Sequence, residues 1–262
     1  MDFMTNPYLS VVIPVYNEER RIQDTLARVL RYLDRQTYDS EVIVVDDGSA
    51  DQTREIVQGF MTDQLRISLL HNPHSGKAYT VRTGILAARS KYVFHADADL
   101  STPIEDFDKF LPQLESGYEV VIGSRSGRLN APWYRQIMST VFTLLVRALV
   151  IRGLRDTQCG FKAYRTDAAQ CIYQQTRLYA QAAEGLAVSR VTAGSDVEML
   201  YIARRLGYRI REVAVQWTYA GHTKVSPLRD SLQAVIDLLR IRWYALSGAY
   251  AAKSAKAPQG SK

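Results

Sequence analysis

The sequence predicts an α/β chain, doubly wound around a mainly parallel sheet, with flanking helices and a carboxy-terminal amphipathic helix. Three observations support this. Apolar, β-branched runs recur through the first half without alternating polar residues, as in strands covered on both faces. Stretches of helical period separate those runs. Polar clusters follow the ends of four of them, where open α/β sheets bind their ligands.

The strand runs are Leu9–Tyr16 (LSVVIPVY), Glu41–Asp46 (EVIVVD), Ile67–Leu70, Tyr92–Ala96 (YVFHA) and Val120–Ile122. Helical stretches lie between them at Glu19–Leu33, Asp51–Phe60, Lys77–Ala88 and Ile104–Leu114. Ser49 or Asp51 caps the second helix, and Pro103 starts the fourth, where a missing N–H costs nothing. The second half is less regular. A helix is expected from about Pro132 to Arg152, others over Asp167–Gln175 and Asp196–Leu206, and a half-exposed edge strand over Ile210–Tyr219. Leu232–Tyr250 reads as amphipathic, with Val235, Leu238, Leu239 and Trp243 on one side and Arg240 and Arg242 near its end.

The chain has 262 residues, 47% hydrophobic and 23% charged, which excludes disordered and fibrous classes. Cys159 and Cys171 are too few for a disulfide scaffold and are expected as reduced thiols. No Cys/His spacing suggests zinc, and the first residues lack the pattern of a signal peptide. Ile137–Ile151 is strongly apolar but short and carries Arg147. A bilayer span needs about 20 apolar residues, so a buried or interfacial helix is expected there, and no span anywhere. Charge is divided unevenly. Through Ser126 there are 13 Lys and Arg against 19 Asp and Glu, a balance of −6, and from Gly127 on 20 against 8, or +12. An acidic half suits cations and a basic half suits anions. Nucleic acid is not expected, because the basic residues lie among Leu, Val and Ile without aromatic platforms.

The chemistry-bearing residues gather at the strand ends: Tyr16-Asn17-Glu18, Asp46-Asp47-Gly48-Ser49, Asp97-Ala98-Asp99 and Gly123-Ser124-Arg125. Two carboxylates at i and i+2 beyond a strand, Asp97 and Asp99, can converge on a hard divalent ion that takes phosphates as further ligands. Asp47 can cap the following helix. Asp46, next to a buried strand, needs a partner such as a base N–H or a ribose hydroxyl. Neither G-x-G-x-x-G nor G-x-x-x-x-G-K-[ST] is present: Pro14–Glu18 follows the first strand, and Ser75-Gly76-Lys77-Ala78 lacks the spacing.

Ser10–Glu18 (SVVIPVYNE), Val44–Ser49 (VVDDGS), Gly76-Lys77, Ala96–Pro103 (ADADLSTP) and Gly123–Arg125 resemble the GT-A glycosyltransferases of family 2. Gly153–Tyr164 (GLRDTQCGFKAY), Asp196–Leu200 (DVEML), Gln216-Trp217-Thr218 and Thr223-Lys224-Val225 are similar to dolichyl-phosphate β-glucosyltransferases and their polyprenyl-phosphate relatives. The resemblance runs over residues 8–250. It implies that Pro14, Tyr16, Glu18 and Asp46 hold a uridine, with Asp47 and Lys77 close to the ribose or diphosphate. It places Mg²⁺ or Mn²⁺ on Asp97 and Asp99. Ser101 stands where mannosyl relatives carry a Gln ligand, which favours the glucosyl branch. Arg125, Arg135 and Ser139 match acceptor-phosphate positions, and Arg135 and Ser139 share a helix face. Asp196 and Asp156 are expected to orient sugar hydroxyls, and Arg147 to snorkel.

The resemblance implies an inverting transfer of glucose from UDP-glucose to a polyprenyl (dolichyl) phosphate. A lipid monophosphate is already anionic at pH 7, its second pKa being about 6. The enzyme then needs positioning and charge neutralisation more than a strong base. Asp99, Arg125, Arg135 and Asp196 are the expected catalytic residues. The alternatives keep the fold: GDP-mannose or another UDP-hexose as donor, or a soluble hydroxyl acceptor with Asp196 as base. A sugar-nucleotide-binding regulator without turnover has no need of a second phosphate site.

The expected organisation is an extension (1–8), a transferase domain (9–226, divided into a nucleotide and metal half, 9–126, and an acceptor half, 127–226), a membrane-proximal helix (227–250) and a disordered tail (251–262). The expected location is peripheral, on the cytoplasmic face of a membrane. There are departures from the family. Gly221-His222-Thr223-Lys224 replaces G-S-K, Leu178–Ser195 lacks the usual aromatic before the aspartate, and no carboxy-terminal transmembrane pair is expected. Cys159 and Trp217 are expected to pack in the core.

Overall fold

The computed structural model describes residues 6–125, 133–180, 193–218 and 227–250, with side chains in those ranges apart from 133–139, 193 and 227–231. Within them the chain builds one seven-stranded sheet of order β3-β2-β1-β4-β6-β5-β7. The first part follows the expected alternation: β1 (Leu9–Val15), α1 (Ile22–Leu33), β2 (Ser40–Asp46), α2 (Thr53–Asp63), β3 (Ile67–His71), α3 (Lys77–Ala87) and β4 (Tyr92–His95). After β4 a 3-10 turn over Ile104–Lys109 leads into α4 (Leu111–Glu115), then β5 (Val120–Arg125) and α5 (Trp133–Leu149). The rest is β6 (Lys162–Arg165), α6 (Thr166–Gln175), α7 (Ala193–Arg205), β7 (Ile210–Val215) and α8 (Pro227–Leu246).

Alternate residues of β1 serve opposite cores, as strand geometry requires. Leu9, Val11, Ile13 and Val15 face the layer of α1, whose Ile22, Leu26, Val29, Leu30 and Leu33 recur at helical spacing. Val12 joins Ile43, Val45 and Val93 on the other face, under Val81 and Ile85 of α3 and parts of α6, α7 and α8. Both faces of the sheet are covered, which is why the strand runs do not alternate.

Three local expectations change. The fourth helical stretch divides into the 3-10 turn and short α4, with Pro103 preceding the turn rather than opening an α-helix. At the start of α2, Asp51 Oδ1 accepts the Thr53 N–H at 3.0 Å, while the Ser49 hydroxyl is turned to Asn17. The third is a strand with no counterpart in the sequence reading. β6 lies antiparallel between β4 and β5, pairing His95 and Ile122 with Lys162. Being antiparallel, it brings its first residue, Lys162, and the preceding Cys159–Phe161 to the edge where the parallel strands end.

β7 is an edge strand parallel to β5. No helix among the described residues is long and apolar enough to cross a membrane. α8 lies against α7 and α5 and leaves Leu232, Ile236, Leu239, Trp243 and Leu246 exposed, with Val141 and Leu144 of α5 exposed as well. The tail 251–262 and the extension to residue 5 lie outside the described residues.

Candidate active site

The loops after β1 and β2 are joined by hydrogen bonds. Asn17 N–H donates to Ser49 Oγ at 2.9 Å, Ala50 N–H to Asn17 Oδ1 at 2.8 Å, and Glu18 N–H to Thr53 Oγ1 at 2.8 Å. Asn17 has φ +52°, a left-handed conformation that asparagine tolerates. Pro14 stays inside β1, buried and opposite Val45. Tyr16 emerges and stacks on His74, ring centroids 4.0 Å apart and planes 10° from parallel. Glu18 is paired with Arg21 at 2.9 Å.

Asp46 finds its partners in the protein. Its fully buried carboxylate accepts from Ser49 N–H at 3.1 Å and His71 Nδ1–H at 2.9 Å, with Arg54 Nε 3.7 Å away. Asp47 serves the start of α3 rather than α2. It takes the N–H groups of Ser75 at 2.8 Å and Gly76 at 2.9 Å, and the Nδ1–H of His74 at 2.8 Å. His71, His74 and Arg54 thus tie two carboxylates and an aromatic stack into one rim. They escaped the sequence reading because the fold, not local spacing, brings them to Asp46 and Asp47.

Asp97 and Asp99 follow β4, as their spacing suggested. Asp99 is exposed and accepts Ser101 N–H at 2.9 Å. The next residue, Leu100, has φ +43°, a left-handed conformation that a branched side chain adopts only when its surroundings hold it. Asp97 Oδ1 is buried, and the Lys77 ammonium from the start of α3 meets it. Desolvation opposes both charges, yet each is stabilised by the other: Asp97 is held below the ordinary carboxylate range, and Lys77 above its own, with Asp196 and Asp99 adding to the field. Gly160 presses on the same carboxylate. A Cβ there would lie 2.4 Å from Asp97 Oδ2, so only glycine admits this approach. Lys77 takes one oxygen of Asp97, but 35% of that side chain stays exposed beside the exposed Asp99, and two carboxylates so placed suit a divalent ion whose other ligands come from phosphate and water. Among the described residues no cluster of three or more His, Cys, Asp and Glu could hold a metal unaided.

Behind the ledge a cavity opens between α3, the end of α6 and the start of α7, lined by Lys77, Arg82, His95, Gly160, Tyr179 and Asp196 among others. His95 is buried and its Nδ1 has no hydrogen-bond partner among the described residues. Burial, reinforced by Lys162, keeps this imidazole neutral. Lys162, wholly buried, donates to Asp196 Oδ1 and to the Cys159 carbonyl, both at 2.6 Å. Asp196 is therefore ion-paired rather than free.

Arg125, at the end of β5, forms a two-pronged pair with Asp156, Nε to Oδ2 at 2.7 Å and Nη2 to Oδ1 at 2.9 Å. Desolvation works against its charge, but Asp156 prevails and holds the guanidinium firmly protonated. Trp217 is half-buried with its ring centroid 5.5 Å from Arg125 Cζ, a stacking role rather than a core one. Cys159 packs as expected, its thiol pushed up by burial, and both cysteines are free. Arg147 donates to the Leu154 carbonyl at 3.1 Å. The side chains of Arg135 and Ser139, and His222 as a whole, lie outside the described residues.

The sheet edge thus brings Tyr16, Glu18, Asp46, Asp47, Lys77, Asp97, Asp99, Arg125 and Asp196 to one side of the molecule. Lys162, His95 and Gly160 join them through β6 and β4, and only Lys162 and Gly160 had a sequence signal, the GFK of the 153–164 motif.

Comparison with known proteins speaks to the family and the fold. The chain is 33% identical over 267 residues to a dolichyl-phosphate beta-glucosyltransferase of Dictyostelium discoideum, covering 95% of this chain and 78% of that protein. It is 36% identical over 269 residues to the mouse protein of that name, covering 95% and 79%. Glucosyl-3-phosphoglycerate synthase of Mycobacterium tuberculosis, solved with Mn²⁺ and UDP-glucose, shares the fold with a TM-score of 0.64 at 18% identity, over 90% of this chain and 79% of that one. Residues 10–173 match the model of glycosyl transferase family 2. The chain belongs to that family, a glycosyltransferase built on the GT-A fold.

Proposed function

We propose that this enzyme transfers glucose from UDP-glucose to a polyprenyl (dolichyl) phosphate, with inversion, at the cytoplasmic face of a membrane. The observation that carries this is the Asp97 ledge: a buried carboxylate oxygen facing a cation, cradled by Gly160, at the sheet edge that also holds the Tyr16–His74 stack and the Arg125–Asp156 pair. The relatives named above are glucosyltransferases acting on dolichyl phosphate, and they match nearly the whole chain.

In this reading Asp97 and Asp99 hold Mg²⁺ or Mn²⁺, which neutralises the leaving diphosphate. Tyr16, Glu18, Asp47 and Lys77 surround the nucleotide, with Tyr16 and His74 offering an aromatic face to the base and the buried Pro14 and Asp46 acting through the strand end and loop they shape. Arg125, Arg135 and Ser139 receive the acceptor phosphate, which attacks C1 of the sugar from the side opposite the diphosphate. Asp196, held by Lys162, orients sugar hydroxyls. That ion pair disfavours the soluble-acceptor alternative, in which Asp196 must take a proton.

The outer face of α8 supports the membrane setting. Leu232 is 63% exposed, Trp243 65% and Leu246 73%, and the exposed Arg240 and Arg242 lie beside them. An apolar stripe flanked by arginines suits an interface with anionic lipid. Residues 9–226 are then the transferase domain and 227–250 its membrane-proximal helix.

The test supplies purified protein with Mg²⁺ or Mn²⁺, a polyprenyl phosphate in vesicles and labelled sugar nucleotides, and follows label into the organic phase. Organic-phase label from UDP-glucose, lost in Asp99→Ala and Arg135→Ala, is expected. Label from GDP-mannose instead overturns the donor. UDP release stimulated only by a soluble sugar overturns the lipid acceptor.

A further inference from the structure

One wall of the cavity comes from the segment after α6, where Thr176, Leu178 and Tyr179 face the α3 side. Two buried carboxylates hold that wall from behind. Glu198 of α7 accepts the N–H of Arg177 at 2.8 Å and of Leu178 at 3.1 Å, and its Oε1 also accepts the Tyr250 hydroxyl at 2.7 Å. Asp237 of α8 accepts the Tyr179 hydroxyl at 2.7 Å and Gln233 Nε2–H at 2.9 Å. Arg177 reaches the Ala249 carbonyl at 3.0 Å. Gly194 abuts Asp237 so closely that a Cβ would lie 2.3 Å from its Cβ, so the turn leading to Asp196 rests on the same side chain.

Tyr179 has φ +55°, a conformation its backbone does not favour and that surrounding contacts must maintain. Asp237 and Glu198 are both fully buried, and a buried carboxylate is retained only with hydrogen bonds to satisfy it. Asp237 sits roughly 140° round α8 from the middle of the exposed stripe of Leu232, Ile236, Leu239, Trp243 and Leu246. One side of the helix therefore meets the surroundings while the other grips the cavity wall.

We propose that Tyr179 and Asp237 are positioning residues through which α8 sets the wall of the cavity behind the Asp97 ledge. Seating the outer face of α8 on anionic lipid fixes the helix, and the Asp237–Tyr179 bond passes that constraint to segment 176–180. The wall closes on bound sugar nucleotide best when the enzyme is on the surface that carries its acceptor. This deepens the reading above and rests on it for the identity of the ligand, while the mechanical link stands on the contacts alone.

The test uses the full chain with vesicles of phosphatidylcholine, with and without phosphatidylglycerol, and follows amide hydrogen exchange of residues 176–180 together with steady-state kinetics. In the wild type, anionic vesicles slow exchange in this segment several-fold. Tyr179→Phe abolishes that slowing and raises the KM for sugar nucleotide about fivefold, the scale of one lost hydrogen bond, with kcat within twofold and affinity for UDP alone unchanged. Asp237→Asn, which keeps an acceptor for the Tyr179 hydroxyl, retains wild-type behaviour, whereas Asp237→Leu reproduces Tyr179→Phe. Equal vesicle-induced protection in wild type and Tyr179→Phe overturns the proposal, as does no protection in the wild type. Absence of turnover with every donor overturns the proposed function instead, and the exchange experiment still decides the link.

Discussion

Lys162 Nζ lies 2.6 Å from Asp196 Oδ1 and is itself inaccessible to solvent, whereas a quarter of the Asp196 side chain is exposed. The lysine is delivered by β6, antiparallel to both its neighbours, and the aspartate by the first turn of α7. An ammonium of this kind cannot be rehydrated in place, so its charge is balanced by the carboxylate and the Cys159 carbonyl or not at all. The pair fixes the start of α7 against the sheet edge and keeps a negative charge facing the cavity.

Lys162→Met tests this. It removes the buried ammonium and leaves Asp196 without that partner, part of its charge still solvated. We expect a loss of about 2–3 kcal/mol in stability, read from urea denaturation, and a fall in turnover larger than stability explains at temperatures where the variant remains folded. Activity equal to wild type in the folded variant would show that Asp196 needs no such anchor.

Gly160→Ala places a methyl group 2.4 Å from Asp97 Oδ2, and the neighbour that must yield is the carboxylate itself. The ledge moves while the fold is kept. A displacement of about 1 Å at a reacting centre costs roughly 10²-fold in rate. The expected result is a loss of that order with a near-native circular dichroism spectrum, and a weaker apparent affinity for Mn²⁺ in titrations of activity.

Much of this ledge was legible in the sequence because it depends on local pattern. Asp97 and Asp99 follow a buried run whose strand character the residues declare, and the end of that strand brings them to the edge, where Lys77 and Gly160 then meet Asp97. The rest depends on contacts between distant segments. β6 is four residues long with no alternation, and only its pairing with His95 and Ile122 makes it a strand. Asp47 looked like a cap for the helix that follows it in sequence, yet the chain returns through β3 and presents the N–H groups of Ser75 and Gly76 instead. The buried partner expected for Asp46 from a ligand is supplied by His71, 25 residues away.

Asp99 provides a complementary test of the metal, because its exposed side chain has little structural work to do. Asp99→Ala is expected to change stability by no more than about 0.5 kcal/mol, the range for surface substitutions, while abolishing metal-stimulated turnover. Chelation of the wild type should stop transfer, and either Mg²⁺ or Mn²⁺ should restore it, with the melting temperature little changed throughout. A large drop in melting temperature on chelation would instead assign the ion a structural role.

Glu198 sets a pH dependence of stability. Burial raises its pKa from 4.5 to about 7, against the opposing hydrogen bonds from Tyr250, Arg177 and Leu178, and Asp237 adds to the rise. A carboxyl group whose folded pKa lies above its unfolded value holds a proton in the folded state that the unfolded chain has released. Its contribution is complete below about pH 4.5 and is lost as pH rises through about 7. The change across that window is about 3 kcal/mol. Glu198→Gln keeps the acceptor for Tyr250 and the two backbone N–H groups without the titration. Urea denaturation from pH 5 to 8 should show stability declining in the wild type by that order relative to the variant. Parallel curves for the two proteins would mean that the Glu198 carboxylate is ionised across the whole range and that the cavity wall rests on a buried charge.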